Sequence, residues 1–125
     1  MATVDEMLDK ARRRLQRVTP QAAAAEHAKS AILIDTRTSE QRQRDGSIPG
    51  ALIIDRTVLE WRLDPVSPWH VPEADNHAVR VIVLCAEGYS SSLAAASLQD
   101  LGLVNATDVI GGFEAWKAAG LPVET

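Results

Sequence analysis

Val81-Ile82-Val83-Leu84-Cys85-Ala86-Glu87-Gly88-Tyr89-Ser90-Ser91-Ser92 is the stretch that decides the fold. Its first four residues are apolar without alternation, the pattern of a strand covered on both faces. Cys85 and a short segment around Gly88 interrupt the run, and Leu93 to Leu101 follow in helical pattern before Gly102. A buried strand, a tight loop and a helix in that order are half of a β-α-β unit.

The same pattern repeats outward from this stretch. Ala31 to Ile34 and Ala51 to Ile54 are short apolar strands, closed by Asp35-Thr36-Arg37 and by Asp55-Arg56. Thr107 to Ile110 is a last strand, and Gly111-Gly112 opens a helix from Phe113 to Ala119. Thr38 or Ser39 can cap a polar helix over Glu40 to Arg44, and Thr57 a short one over Val58 to Leu63. Thr19-Pro20 starts a helix over Gln21 to Lys29, with Pro suited to the first helical position. Residues 64–77, with Pro65, Pro68 and Pro72, form a long surface loop. Connections of helical length between strands favour parallel pairing over hairpins, and the fold class is read as α/β with helices on both faces of the sheet. Residues 4–17 place Val4, Met7, Leu8, Ala11 and Leu15 at helical spacing, with Val18 next in the same pattern. They are expected to form an amphipathic N-terminal arm (1–17) on a single domain (18–125).

Composition narrows the function. The 125 residues include 46% hydrophobic and 24% charged side chains, a globular balance for one domain. Net charge −4 and a pI near 5.3 disfavour nucleic acid as a partner. No run approaches the ~20 apolar residues of a membrane helix, so no membrane partner is expected. A single cysteine forms no internal disulfide and fits the reducing cytoplasm. His27, His70, His77 and Cys85 lack zinc-ligand spacing, so neither a metal site nor a cofactor is expected.

In parallel sheets ligands bind beyond the carboxyl ends of the strands, where Asp35-Thr36-Arg37, Asp55-Arg56 and Cys85 all fall. A turn centred on Gly88 can aim successive N–H groups inward as an anion nest, and the following helix start adds partial positive charge. A thiol there ionises more readily, and the thiolate is the nucleophile. A lone cysteine after an apolar strand is also an ordinary small buried side chain, and residue type alone does not separate the two. Ser90 to Ser92 serve equally as helix caps or as donors to a bound anion.

Taken together, Asp35-Thr36-Arg37, Gly46-Ser47-Ile48-Pro49-Gly50-Ala51, Cys85-x-x-Gly88-x-Ser90-Ser91 and Gly111-Gly112-Phe113-Glu114-Ala115-Trp116 resemble the single-domain rhodaneses, the thiosulfate sulfurtransferase-like family. The likeness spans residues 18–123. It implies a rhodanese-like fold with a mostly parallel five-stranded sheet. It also implies a catalytic Cys85, a substrate-binding loop of Ala86, Glu87, Gly88, Tyr89, Ser90 and Ser91, and a structural role near the site for Asp35 and Arg37. Sulfane sulfur would pass from thiosulfate or a persulfide donor, through a Cys85 persulfide, to a thiol or cyanide acceptor. Two features depart from the family pattern: Ser47 stands where its members usually carry His, and the loop holds Glu87 and no Arg or Lys.

Residues 81–125 carry one basic side chain, Lys117, against five acidic ones, so cationic help must come from earlier in the chain. Arg56 and Arg62 are the expected source, and the stretch Glu60, Trp61, Arg62 and Asp64 reads either as pocket lining or as a solvated helix face with one anchored Trp. Phe113 and Trp116 read as core, and Arg12-Arg13-Arg14 as solvated surface. Two other readings stand beside the transferase: a slow sulfur carrier or sensor of the same fold, and a phosphatase. The phosphatase reading lacks the Arg that a Cys-x5-Arg loop needs at position 91.

Overall fold

The computed structural model describes residues 1–125. Its strands are β1 (Ile32–Asp35), β2 (Leu52–Ile53), β3 (Val81–Leu84) and β4 (Ala106–Asp108). Its helices are α1 (Val4–Arg13), α2 (Pro20–Ala28), α3 (Ser39–Asp45), α4 (Leu59–Leu63), α5 (Ser90–Asp100) and α6 (Gly112–Ala118), with a 3-10 turn over Arg56–Val58. The sheet order is β2-β1-β3-β4 and every pairing is parallel.

The sheet has four strands, not five. Beyond β4 a fifth position exists only as one parallel bridge between Val18 and Val109. It cannot lengthen, because Pro20 begins α2 and offers no N–H to a ladder. The first helix is also shorter than its apolar spacing suggests: it ends at Arg13, and Leu15 and Val18 are reached by irregular chain.

Alternation along the strands divides the core. Ile34, Val81, Val83 and Ala106 face a layer with Leu59, Leu63, Ala94, Ala95, Leu98 and Leu15. Leu33, Ile82, Leu84 and Val109 face the opposite layer with Ala23, Phe113 and Trp116. All four residues of β3 have no exposed surface. Each such side chain contributes roughly 1.5–3 kcal/mol over its exposed state. The strand that leads into Cys85 is therefore firmly anchored. Trp116 fixes α6 by donating its Nε1–H to the Pro122 carbonyl at 2.9 Å.

Two caps differ from expectation. Asp55, not Thr57, caps the segment before α4, its carboxylate accepting from the Thr57 N–H at 3.0 Å. α5 starts at Ser90, so the serines lie inside its first turn and do not cap it.

Candidate active site

Cys85 is the first residue after β3 and is 6% exposed. Its Sγ accepts the N–H of Gly88 at 3.2 Å and that of Ser91 at 3.4 Å. The loop wraps around its own sulfur. The N–H groups of Ala86, Glu87, Tyr89 and Ser90 donate to no protein acceptor and remain available to an anion.

Part of that arrangement comes from α6. The Phe113 N–H donates to the Cys85 carbonyl at 2.8 Å, and the Glu114 N–H to the Ala86 carbonyl at 3.0 Å. In a trans peptide the C=O and the following N–H point opposite ways. Holding those two carbonyls toward α6 therefore turns the Ala86 and Glu87 N–H groups away from it. The contact is possible only because Gly112 lacks a side chain. At its φ of +59° a Cβ would come within 2.5 Å of the Cys85 oxygen and 2.7 Å of the Gly88 nitrogen. Gly88, at φ +86°, faces Gly111 in the same way. The two glycine positions allow backbone to meet backbone.

Burial pushes the Cys85 thiol up, but the hydroxyls of Ser91 and Ser90 and the N–H groups of Ser91 and Gly88 outweigh it. The thiol is thereby held below its ordinary value. The Ser91 hydroxyl has only one proton, and its oxygen lies 2.7 Å from Asp108 Oδ2. That proton bonds the carboxylate, so the two backbone N–H groups supply the steady part of the stabilisation.

Asp108 was not anticipated. It ends β4, is fully buried, and accepts from Ser91 and Ser92 Oγ (2.7 and 2.8 Å). Arg17 completes its shell as a fork, Nε at 2.9 Å on Oδ1 and Nη2 at 3.2 Å on Oδ2. Arg17 also reaches the Gly88 carbonyl at 3.0 Å, and Arg12 donates to the same oxygen at 2.7 Å. The reading of the Arg12 cluster as solvated surface is thus corrected for Arg12, while Arg13 is exposed and Arg14 pairs with the exposed Asp100. Ten residues of charged helix gave no local sign that one arginine turns inward.

The expected cations are placed elsewhere. Arg56 donates through Nη1 to both oxygens of Glu60, which also accepts from Ser97 Oγ. Arg62 donates to the Trp69 carbonyl. Neither donates to the Cys85 loop. Tyr89 and Glu87 are exposed at the loop surface. Asp35 and Arg37 form a buried fork (Nε–Oδ1 3.1 Å, Nη2–Oδ2 2.8 Å) that also holds the Gly46 carbonyl. The Arg37 guanidinium lies 3.7 Å from the Phe113 ring centre, next to the residue that clamps Cys85. A surface cleft of about 590 Å³, whose lining includes Arg42, Arg44 and Glu124, contains no residue of the Cys85 loop.

Known proteins resemble this chain in sequence and fold. A thiosulfate sulfurtransferase GlpE from Pseudomonas entomophila is 33% identical over 111 residues, covering 88% of this chain and 91% of the relative. GlpE of Actinobacillus succinogenes is 56% identical over 45 residues, 36% of this chain and 40% of that one. Relatives named adenylyltransferase and sulfurtransferase are matched over 19–25% of their own length. Among solved structures, a Rhodopseudomonas palustris protein of unknown function, described as a possible tyrosine phosphatase, superposes with a TM-score of 0.89 at 35% identity. That superposition covers 99% of this chain and 96% of the other. No helix is long and apolar enough to cross a membrane. Residues 19–119 match the rhodanese-like domain, and the chain belongs to that family.

Proposed function

We propose that the protein is a sulfurtransferase in which Cys85 carries sulfane sulfur as a persulfide. The Cys85 thiolate attacks the outer sulfur of thiosulfate or of a small persulfide. A Cys–S bond forms, the donor S–S bond breaks, and sulfite or a thiol leaves with the electron pair. A thiol or cyanide then attacks the outer sulfur and regenerates the thiolate. The observation that carries this reading is the loop itself, with two N–H groups on Sγ and four more without protein acceptors. Such donors stabilise the anionic persulfide and the charge developing on the leaving group. With one cysteine in the chain, the sulfur passes to an outside acceptor. We place this chemistry in a reducing cytoplasm, in one domain over residues 18–125 with residues 1–17 as its arm.

A phosphatase is disfavoured by the same geometry. Ser91 occupies the position of the phosphate-clamping Arg, so a phosphoryl group would find no bidentate cationic partner there. A slow sulfur carrier is the second reading, favoured by Glu87 and by the absence of any basic side chain in residues 86–91. Steady-state thiocyanate formation from thiosulfate and cyanide separates the two. Sustained ping-pong turnover supports the enzyme, and loading with one sulfur but no turnover supports the carrier.

A further inference from the structure

The N-terminal segment is bound to the loop through its arginines. Ala11 and Leu15 are buried, α1 lies against α5, and Val18 bridges to Val109, donating its N–H to the Asp108 carbonyl. Between these anchors Arg12 and Arg17 both point at the loop. Arg12 donates through Nη2 to Gly88 O and through Nε to Ser92 Oγ at 3.1 Å, and its guanidinium lies 5.5 Å from the Tyr89 ring centre.

Two consequences follow from elementary chemistry. First, two guanidinium donors on the Gly88 carbonyl pull it toward the arm, which turns the N–H of the same peptide, that of Tyr89, the other way. The arm thus does for Tyr89 what α6 does for Ala86 and Glu87. Second, Asp108 is a buried carboxylate joined through Ser91 to the residue whose N–H binds the sulfur. An uncompensated negative charge there opposes ionisation of Cys85. Arg17 is the only cation paired with it.

We propose that Arg17, assisted by Arg12, is a positioning residue for the Cys85 loop: it balances Asp108 behind the thiolate and holds the Gly88 carbonyl so that the Tyr89 N–H faces away from the arm. This rests on the reading of Cys85 as the reacting nucleophile. The other charged or titratable groups around the loop are few. Glu87 and Tyr89 are exposed on it, Glu114 is exposed on α6, Arg37 lies on Phe113, and the first turn of α5 has no charged residue.

The test is the pH dependence of Cys85 alkylation by iodoacetamide in the full chain, with folding checked by circular dichroism. Arg17→Ala raises the midpoint by about one pH unit, roughly tenfold slower reaction at a pH below both midpoints. Asp108→Asn lowers it, because the carboxylate charge is gone and Arg17 remains. Arg17→Lys gives an intermediate rise, and Arg12→Ala a smaller one. Opposite signs at residues 17 and 108 are the signature, since loosened packing would move both variants the same way. Where Arg17→Ala does not fold, Asp108→Asn and Arg17→Lys decide. An unchanged or raised midpoint in Asp108→Asn overturns the proposal, as does an unchanged midpoint in a folded Arg17→Ala. Sulfur uptake by the wild type, read by mass in parallel, separates this outcome from the transfer reading: no uptake removes transfer but leaves the alkylation shifts to decide positioning.

Discussion

The molecule contains two buried Arg–Asp forks, and they lie toward opposite faces of the sheet. Asp35 follows Leu33 in the alternation and belongs to the α2–α6 side, whereas Asp108 follows Ala106 and belongs to the α1–α5 side. Asp35 and Arg37 are two residues apart in the chain and both nearly solvent-free, and their fork ends on Gly46 and Phe113. Arg17 and Asp108 are 91 residues apart, and Arg17 remains partly exposed while touching the loop that holds Cys85. The local pair closes the fold around itself. The distant pair joins an N-terminal segment to the reactive loop.

The largest expected effect belongs to the local pair. Arg37→Ala leaves a buried carboxylate unpaired and costs about 3–5 kcal/mol of stability, measurable by urea unfolding. A loss below about 1 kcal/mol would show that the Asp35 fork is not the structural one. Next comes the backbone contact that both faces share. Gly112→Ala forces a Cβ against the Cys85 carbonyl at a left-handed φ, and should cost roughly 1–3 kcal/mol while slowing alkylation of Cys85. Wild-type reactivity in that variant would detach α6 from the positioning of the loop.

A smaller effect is expected at the loop surface. Glu87 is exposed, so solvent screens its repulsion of a dianionic donor. Glu87→Gln should raise kcat/KM for thiosulfate by about threefold and leave a singly charged persulfide donor unaffected. Equal changes for both donors would mean that Glu87 acts by something other than charge. The smallest effect is on stability against pH. The thiol is held below its ordinary value, so its contribution is present above about pH 8.5 and is lost as pH falls through the folded-state midpoint. Wild type should therefore gain stability over Cys85→Ser as pH rises through that window, and a gain on acidification would reverse the sign of the shift.

The comparison also explains what could be read from the chain alone. The β3–loop–α5 order was legible because an unbroken apolar run, a Gly turn and a helical pattern are local signals, and Val81–Leu84 is observed as read. For Asp35 and Arg37 the family resemblance implied only a structural role, and their fork with each other emerges from the fold. Asp108 was not, since an Asp at a strand end is ordinary and its partners lie 16 to 91 residues away. The charge asymmetry of residues 81–125 pointed to a cation from earlier in the chain, but Arg56 and Arg12 look alike without the tertiary fold. Glu60, one helical turn from Arg56, captures it. The missing fifth strand has a comparable cause, because one bridge at Val18 stops at Pro20.

The central claim is that Cys85 holds the travelling sulfur, and intact mass after donor exposure tests it most directly. Wild-type protein incubated with thiosulfate or a small persulfide, then freed of donor, should gain the mass of one sulfur atom and lose it again on addition of cyanide. Cys85→Ser should gain nothing. An equal, cyanide-sensitive gain in the Ser variant, or no gain in the wild type with either donor, would contradict the account.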